Sequence, residues 1–288
     1  MTQNFDPEIL SMFQDPDASS AVVMAAQQIS APLIQGSPLT EEEVLMGGGV
    51  RVVYLILDAS PSMFPVGQAL RDGFNNDFVP AIRAAREDDV SALRVGGCAF
   101  SSGSPTPIWK GTDADGNVSY FHVFDQLPTL TKAEYDPDKG SGTALHRAIT
   151  EGTAMAMSHA AAIQRETTLE PDIDIIVLSD GGNNEDMRTI PAEEVKKLVA
   201  GRNRSRVRYI GFFFETDWGM PDPDKYFIND LGFDAEQVKA FLAKPGETPE
   251  ERAHRFRLLM GVMSRVSAAR NTSAVVATTT VMADDELV

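Results

Sequence analysis

Five oxygen-bearing side chains, drawn from three separate stretches, are the residues of this sequence best suited to chemistry. The run "LILDASPSM" (Leu55 to Met63) ends an apolar stretch on Asp58 and then places Ser60 and Ser62 at alternate positions. "DKGSGTALHRAI" brings Thr143 to a helix start after a glycine-rich turn, and "DIDIIVLSDGG" ends a second apolar run on Asp180. Two carboxylates and three hydroxyls, with no His or Cys among them, make an all-oxygen donor set. Such a set suits a hard, octahedral cation that keeps some of its waters, Mg²⁺ or Mn²⁺, better than Zn²⁺, which favours nitrogen and sulfur. With few charged donors in direct contact the ion stays electrophilic, so that a carboxylate from outside can complete its shell. Taken singly, Asp58, the serines and Thr143 could each cap a helix, and Asp180 before two glycines could be a turn residue. The coincidence of all five carries the metal reading.

The elements that must position these residues are legible as alternating strands and helices. "RVVYLIL" (Arg51 to Leu57) is a nearly continuous β-branched and aliphatic run, the pattern of a strand buried on both faces of a parallel sheet. Val66, Leu70, Phe74, Phe78, Ile82 and Ala85 then recur at helical spacing, with Pro80 predicting a kink near Asp77 to Val79. Further strands are expected over Ala92 to Ser102, Asn117 to Phe124, Ile173 to Ser179 and Arg206 to Glu215. Helices are expected over Ala144 to Ile163, from Pro191 to Gly201, and over Asp234 to Ala243. A long last helix runs to Arg270, with Thr248 and Glu251 spaced as a capping box. This alternation predicts an α/β fold: an open, mostly parallel sheet with helices on both faces, whose binding crevice lies beyond the carboxyl ends of the strands. Residues 1–48 read as a leader, 49–270 as one domain, and 271–288 as a loose acidic tail in which Ala274 to Ala277 could add an edge strand.

Bulk properties narrow the function. The chain has 288 residues, and 25 Lys and Arg against 42 Asp and Glu give a net charge of −17, which disfavours nucleic acid and anionic lipid as partners. The single cysteine, Cys98, reads as a small residue packed in a strand and points to a reducing compartment. The first twenty residues lack a basic region followed by an apolar stretch, and no segment approaches the roughly 18 apolar residues of a membrane span. A cytoplasmic protein with no membrane insertion is the resulting expectation. "DADGNVSYFHVF" imitates the start of a calcium loop but has Val118 where glycine is needed and Phe124 where a bidentate glutamate is needed, so it reads as a hairpin turn. His146, three residues past Thr143, reads as a satisfied histidine on a helix surface. No Gly-x-Ser-x-Gly elbow, P-loop or Gly-x-Gly-x-x-Gly follows a strand.

Asp58-Ala-Ser60-Pro-Ser62, Thr143 within Gly140-Ser-Gly-Thr, and Ser179-Asp180-Gly181-Gly182, in this order and spacing, resemble the metal-ion-dependent adhesion site (MIDAS) of von Willebrand factor type A domains. The resemblance covers about residues 50–270. It implies a Rossmann-like sheet and a divalent ion, Mg²⁺ with Mn²⁺ or Ca²⁺ as alternatives, held directly by Ser60 and Ser62. It also implies that Thr143 joins in one conformation, that Asp58 and Asp180 act largely through water, and that an Asp or Glu of a partner protein supplies the last ligand. Pro61 stands where many members carry glycine. Within the family the chain is most similar to the short cytosolic bacterial members associated with tellurite-resistance and stress operons. The function expected is therefore a non-enzymatic protein-interaction module. Two other readings stand beside it: a metal-assisted phosphate hydrolase, and a non-catalytic adaptor of an AAA+ ATPase or chelatase-type complex.

Overall fold

The computed structural model describes residues 6–15, 20–28, 36, 39–45, 49–85, 91–112, 118–137, 141–184, 190–214, 223–241, 247–248, 250–251, 254–255, 257–258 and 260–261. Nine strands are found among them: β1 (Val50–Asp58), β2 (Ala92–Phe100), β3 (Thr106–Pro107), β4 (Gly111–Thr112), β5 (Val118–Ser119), β6 (Phe121–Val123), β7 (Asp172–Ser179), β8 (Val207–Phe214) and β9 (Val238–Phe241). The main sheet has the order β3-β2-β1-β7-β8-β9, with β6 also pairing to β2. Its five long or central members, β2, β1, β7, β8 and β9, run parallel, while β3 and β6 add to β2 antiparallel. The expected mixed α/β architecture, a mostly parallel sheet flanked by helices, is what the structure has.

The alternation of β1 sorts the core into two layers. Val52, Tyr54 and Ile56 face a cluster built with Leu145, Ala148 and Ile149 of the Leu145–Thr167 helix and with Val195, Leu198 and Val199 of the Ala192–Gly201 helix. Val53, Leu55 and Leu57 face the opposite cluster, with Leu70, Phe74, Phe78 and Ile82. Every residue of β1 except Arg51 is buried, as a strand covered on both faces must be. Gly152 lets the long helix lie close on β1: a Cβ there would come within 2.7 Å of Ile56 Cδ1.

Within residues 1–48, Ile9, Met12, Phe13, Val22 and Val23 are buried in the first of these clusters. Met12 O accepts from Asn203 N–H at 2.8 Å, and Phe13 bridges to Arg202. Glu43 reaches fully buried Arg94 with both carboxylate oxygens, at 3.0 and 2.8 Å. The predicted kink after β1 is a π-helical turn, Phe74–Phe78, in which the Val79 N–H bonds Phe74 O, a wide turn placed just before Pro80.

Two expected elements differ. The helix over Asp234 to Ala243 is instead a 3₁₀ turn, Ala235–Gln237, followed by β9. The outer edge of β8 presents backbone groups from Gly211 to Phe214 that need partners, and pairing Val238–Phe241 with them outweighs the helical propensity of "AEQVKAF". The strand over Asn117 to Phe124 is split: β5 closes a hairpin with β4, and β6 joins β2. The tight connection between β4 and β5, including Asp113, Asp115 and Asn117, lies outside the described residues, as does Ala274 to Ala277. The capping box holds, with Thr248 N–H donating to Glu251 Oε2 at 2.7 Å and Glu251 N–H to Thr248 Oγ1 at 3.2 Å.

Candidate functional site

β1 sends its connection to β2 on one side, and β7, on its other side, sends its own to β8. The crevice between the carboxyl ends of β1 and β7 is therefore the switch point of the sheet, where neighbouring loops diverge and leave room for a ligand. Asp58 is the last residue of β1 and Ser179 the last of β7, one step beyond the Leu57–Leu178 pair.

Asp58, Ser60, Ser62 and Asp180 form one hydrogen-bonded chain at this crevice. The Ser60 N–H donates to Asp58 Oδ1 at 2.8 Å, Ser60 Oγ lies 3.0 Å from Ser62 Oγ, and Ser62 Oγ donates to Asp180 Oδ1 at 3.0 Å. Ser62 has a single proton and gives it to Asp180, so the Ser60 hydroxyl is the donor of the pair, with Asp58 also within its reach. Both hydroxyl oxygens then keep lone pairs for another ligand. Asp58, Ser60 and Asp180 are buried at 0%, 1% and 1% exposure, while Ser62 is half-buried and opens the site to solvent. Ser60 precedes a 3₁₀ turn, Pro61–Val66, and makes no side-chain cap to it. Pro61 occupies the first position of that turn, where a missing N–H costs nothing.

Thr143, 5% exposed, is brought to the same edge through its backbone. Its N–H donates to Asn184 Oδ1 at 2.6 Å and its carbonyl accepts from Asn184 N–H at 3.0 Å, tying it to the loop that carries Asp180. The next residue, Ala144, donates to Ser101 O at 2.6 Å, and the Ser102 and Ser141 hydroxyls are hydrogen-bonded. The helix begins after Ala144, which has no side-chain cap, so Thr143 is not its capping residue.

The electrostatics fit a cation. Burial, and then the Asp180 carboxylate, push the Asp58 carboxyl up to about 7, against hydrogen bonds from Ser179 and Ser60 that lower it. None of the groups that set the Asp58 shift is cationic, and a divalent ion beside Asp58 would favour its ionised form. Among the described residues no cluster of three or more His, Cys, Asp or Glu side chains is placed to hold a metal. What the crevice offers is the mixed hydroxyl and carboxylate set, whose hard oxygens match Mg²⁺ or Mn²⁺.

The supporting roles of several residues were not assigned from the sequence. Ser179 Oγ donates to Asp58 Oδ2 at 2.5 Å, and Tyr135 Oη donates to Asp58 O at 2.5 Å, with Arg71 holding the Tyr135 carbonyl at 2.9 Å. A polar residue closing an apolar run was the available signal for Ser179; Tyr135 and Asn184 carried none. His146 is satisfied as expected, with Ile190 O and Tyr226 Oη at its two ring nitrogens, but it is buried, at 2% exposure, rather than on the helix surface. Cys98 is buried at 1% and burial pushes its thiol up to about 12, in keeping with its reading as a packed strand residue. No helix among the described residues is long and apolar enough to cross a membrane.

No protein-family model matches the sequence, and no curated protein matches it. Among solved structures the chain is similar to proximal thread matrix protein 1 from the mussel byssus with a zinc-occupied MIDAS motif (TM-score 0.45, 12% identity, 75% of this chain and 48% of that one). It is also similar to the SpRpn10 VWA domain (TM-score 0.41, 13% identity, 71% and 93%). A third is the pilus adhesin SpaC from Lactobacillus rhamnosus GG (TM-score 0.38, 12% identity, 76% and 30%). The chain spans about half the length of the mussel protein.

Proposed function

We propose that this chain is a metal-dependent protein-interaction module of the von Willebrand factor type A kind, with residues 49–270 as its domain. In this reading Ser60, Ser62 and Thr143 would hold an Mg²⁺ ion, with Asp58 and Asp180 supplying negative charge to it. A partner protein's Asp or Glu would add a further oxygen ligand. The observation that supports it is the hydrogen-bonded chain from Asp58 through Ser60 and Ser62 to Asp180. It gathers two buried carboxylates and two hydroxyls with spare lone pairs at the switch point of the sheet. Because only part of the ion's charge is neutralised by such donors, an incoming carboxylate gains more here than at an ordinary surface. The chain acts in the cytoplasm, as a binding module rather than an enzyme, in a bacterial stress or metal-resistance system of the tellurium-resistance kind, where an AAA+ ATPase is a partner of fitting type.

Titration calorimetry with Mg²⁺ and Mn²⁺ tests the metal reading. The wild-type chain should bind one equivalent, and Ser60→Ala and Asp58→Ala should abolish binding while far-UV circular dichroism stays unchanged. Wild-type affinity in both variants would sink it.

A further inference from the structure

We infer that Asn184 and Tyr226 are positioning residues that clamp the Thr143 loop to the Asp180 loop, and that this double clamp sets the affinity and selectivity of the cation site. The inference rests on the metal reading above and goes beyond it, since neither residue belongs to the donor set.

Thr143 does not end a strand; it lies on a loop before a helix, and the contacts that tie this loop to the Asp180 loop help to fix its place relative to Asp180. The first tie is reciprocal: Thr143 N–H to Asn184 Oδ1 at 2.6 Å and Asn184 N–H to Thr143 O at 3.0 Å. Gly142 eases that approach, since a Cβ there would stand 3.3 Å from Asn184 Oδ1 and 3.4 Å from Ser102 Cβ.

The second tie runs through a segment distant in sequence. His146 Nδ1 lies 2.8 Å from Ile190 O, and a carbonyl can only accept, so Nδ1 carries the proton and Nε2 is the acceptor. Tyr226 Oη, 2.5 Å from Nε2, therefore donates to it, and the same phenol oxygen accepts the Asn183 backbone N–H. The two rings lie nearly parallel, at 20°, with centroids 6.2 Å apart. Asn183 Oδ1 in turn accepts the His146 N–H at 3.4 Å. One hydroxyl thus grips the first turn of the helix that follows Thr143 and, at the same time, the loop that follows Asp180.

Mg²⁺ demands near-ideal octahedral geometry, whereas Ca²⁺ accepts longer and more variable shells. A clamp that holds two ligand-bearing loops at fixed spacing should favour the smaller ion, and loosening it should cost Mg²⁺ more than Ca²⁺. Removing such supporting groups typically costs about 10–100-fold in metal affinity.

The test uses the full chain with Mn²⁺, following free Mn²⁺ by electron paramagnetic resonance and displacing it with Mg²⁺ or Ca²⁺. Tyr226→Phe removes a single hydroxyl, and Asn184→Ala removes the side-chain half of the reciprocal tie while its backbone half remains; the first keeps the test intact if the second fails to fold. The expected result is at least about 10-fold weaker Mn²⁺ and Mg²⁺ binding in each folded variant, with a smaller loss for Ca²⁺, so that the Mg²⁺ to Ca²⁺ preference falls. A role confined to stability would lower the melting temperature and leave that preference alone. Unchanged affinity and preference in Tyr226→Phe, beside a wild type that binds, would overturn the clamp alone. A wild type that binds no Mn²⁺ would overturn the metal reading and the clamp with it.

Discussion

Replacing Asp58 by Asn should change stability in opposite senses depending on whether a cation is supplied. Asp58 is fully buried, and burial together with Asp180 pushes its carboxyl up to about 7 from 3.8. An acid raised in this way binds more protons folded than unfolded. The stability linked to it is fully present below 3.8 and is lost as pH rises through about 7. In chelator at about pH 8 the wild type therefore forgoes roughly three tenfold steps at about 1.36 kcal/mol each, on the order of 4 kcal/mol. The amide keeps an oxygen for the Ser60 N–H, and Ser179 can turn its hydroxyl to Gly181 O, already 3.1 Å away, at a cost of about 1 kcal/mol. Asp58→Asn should thus be more stable than wild type by about 3 kcal/mol in chelator, with a shallower decline than the wild type from about pH 4 to 8. With Mg²⁺ at a hundredfold excess over its Kd, the wild type should recover about 2.7 kcal/mol and the variant nothing, nearly closing the gap. Urea denaturation under the two conditions measures both numbers. A variant less stable than wild type in chelator, or one that gains as much from Mg²⁺, would refute the reasoning.

Two further outcomes probe the scaffold rather than the site. Asp174, 1% exposed, is shared by Arg51 at 3.1 Å and by Arg208 through two bonds of 2.6 and 2.7 Å, so Asp174→Ala should cost about 3 kcal/mol by removing the buried carboxylate that both partly buried guanidinium groups share. Its Mn²⁺ affinity should match wild type, because the triad lies toward the amino end of β7, away from the crevice; a loss of binding would count against that separation. Cys98, with its thiol raised to about 12, should resist a water-soluble thiol reagent at about pH 8 in the native protein and react once per chain in urea. Fast labelling without denaturant would contradict the packing of β2.

How much of this was legible in the sequence depends on how local the signal was. β1, β2, β7 and β8 announce themselves as apolar runs because both faces of a parallel sheet are covered, and Asp58 and Asp180 stand out because a charge ends such a run. β9 was hidden because its residues favour a helix, and only the unpaired edge of β8 makes them a strand. The burial of Ile9, Met12 and Phe13 depends on core residues far along the chain, and the backbone bonds of Met12 and Gln14 reach Asn203 and Gly201, which no window of sequence can see. Ser179 could have been read from its place at a strand end, whereas Tyr135, Asn184 and Tyr226 act through contacts set by the tertiary fold alone.

The most direct measurement is anomalous scattering from a crystal of the full chain grown with Mn²⁺. One strong peak is expected in the crevice between β1 and β7, about 2.1 Å from both Ser60 Oγ and Ser62 Oγ. No peak there, with the two serine hydroxyls still bonded only to each other and to Asp180, would contradict it.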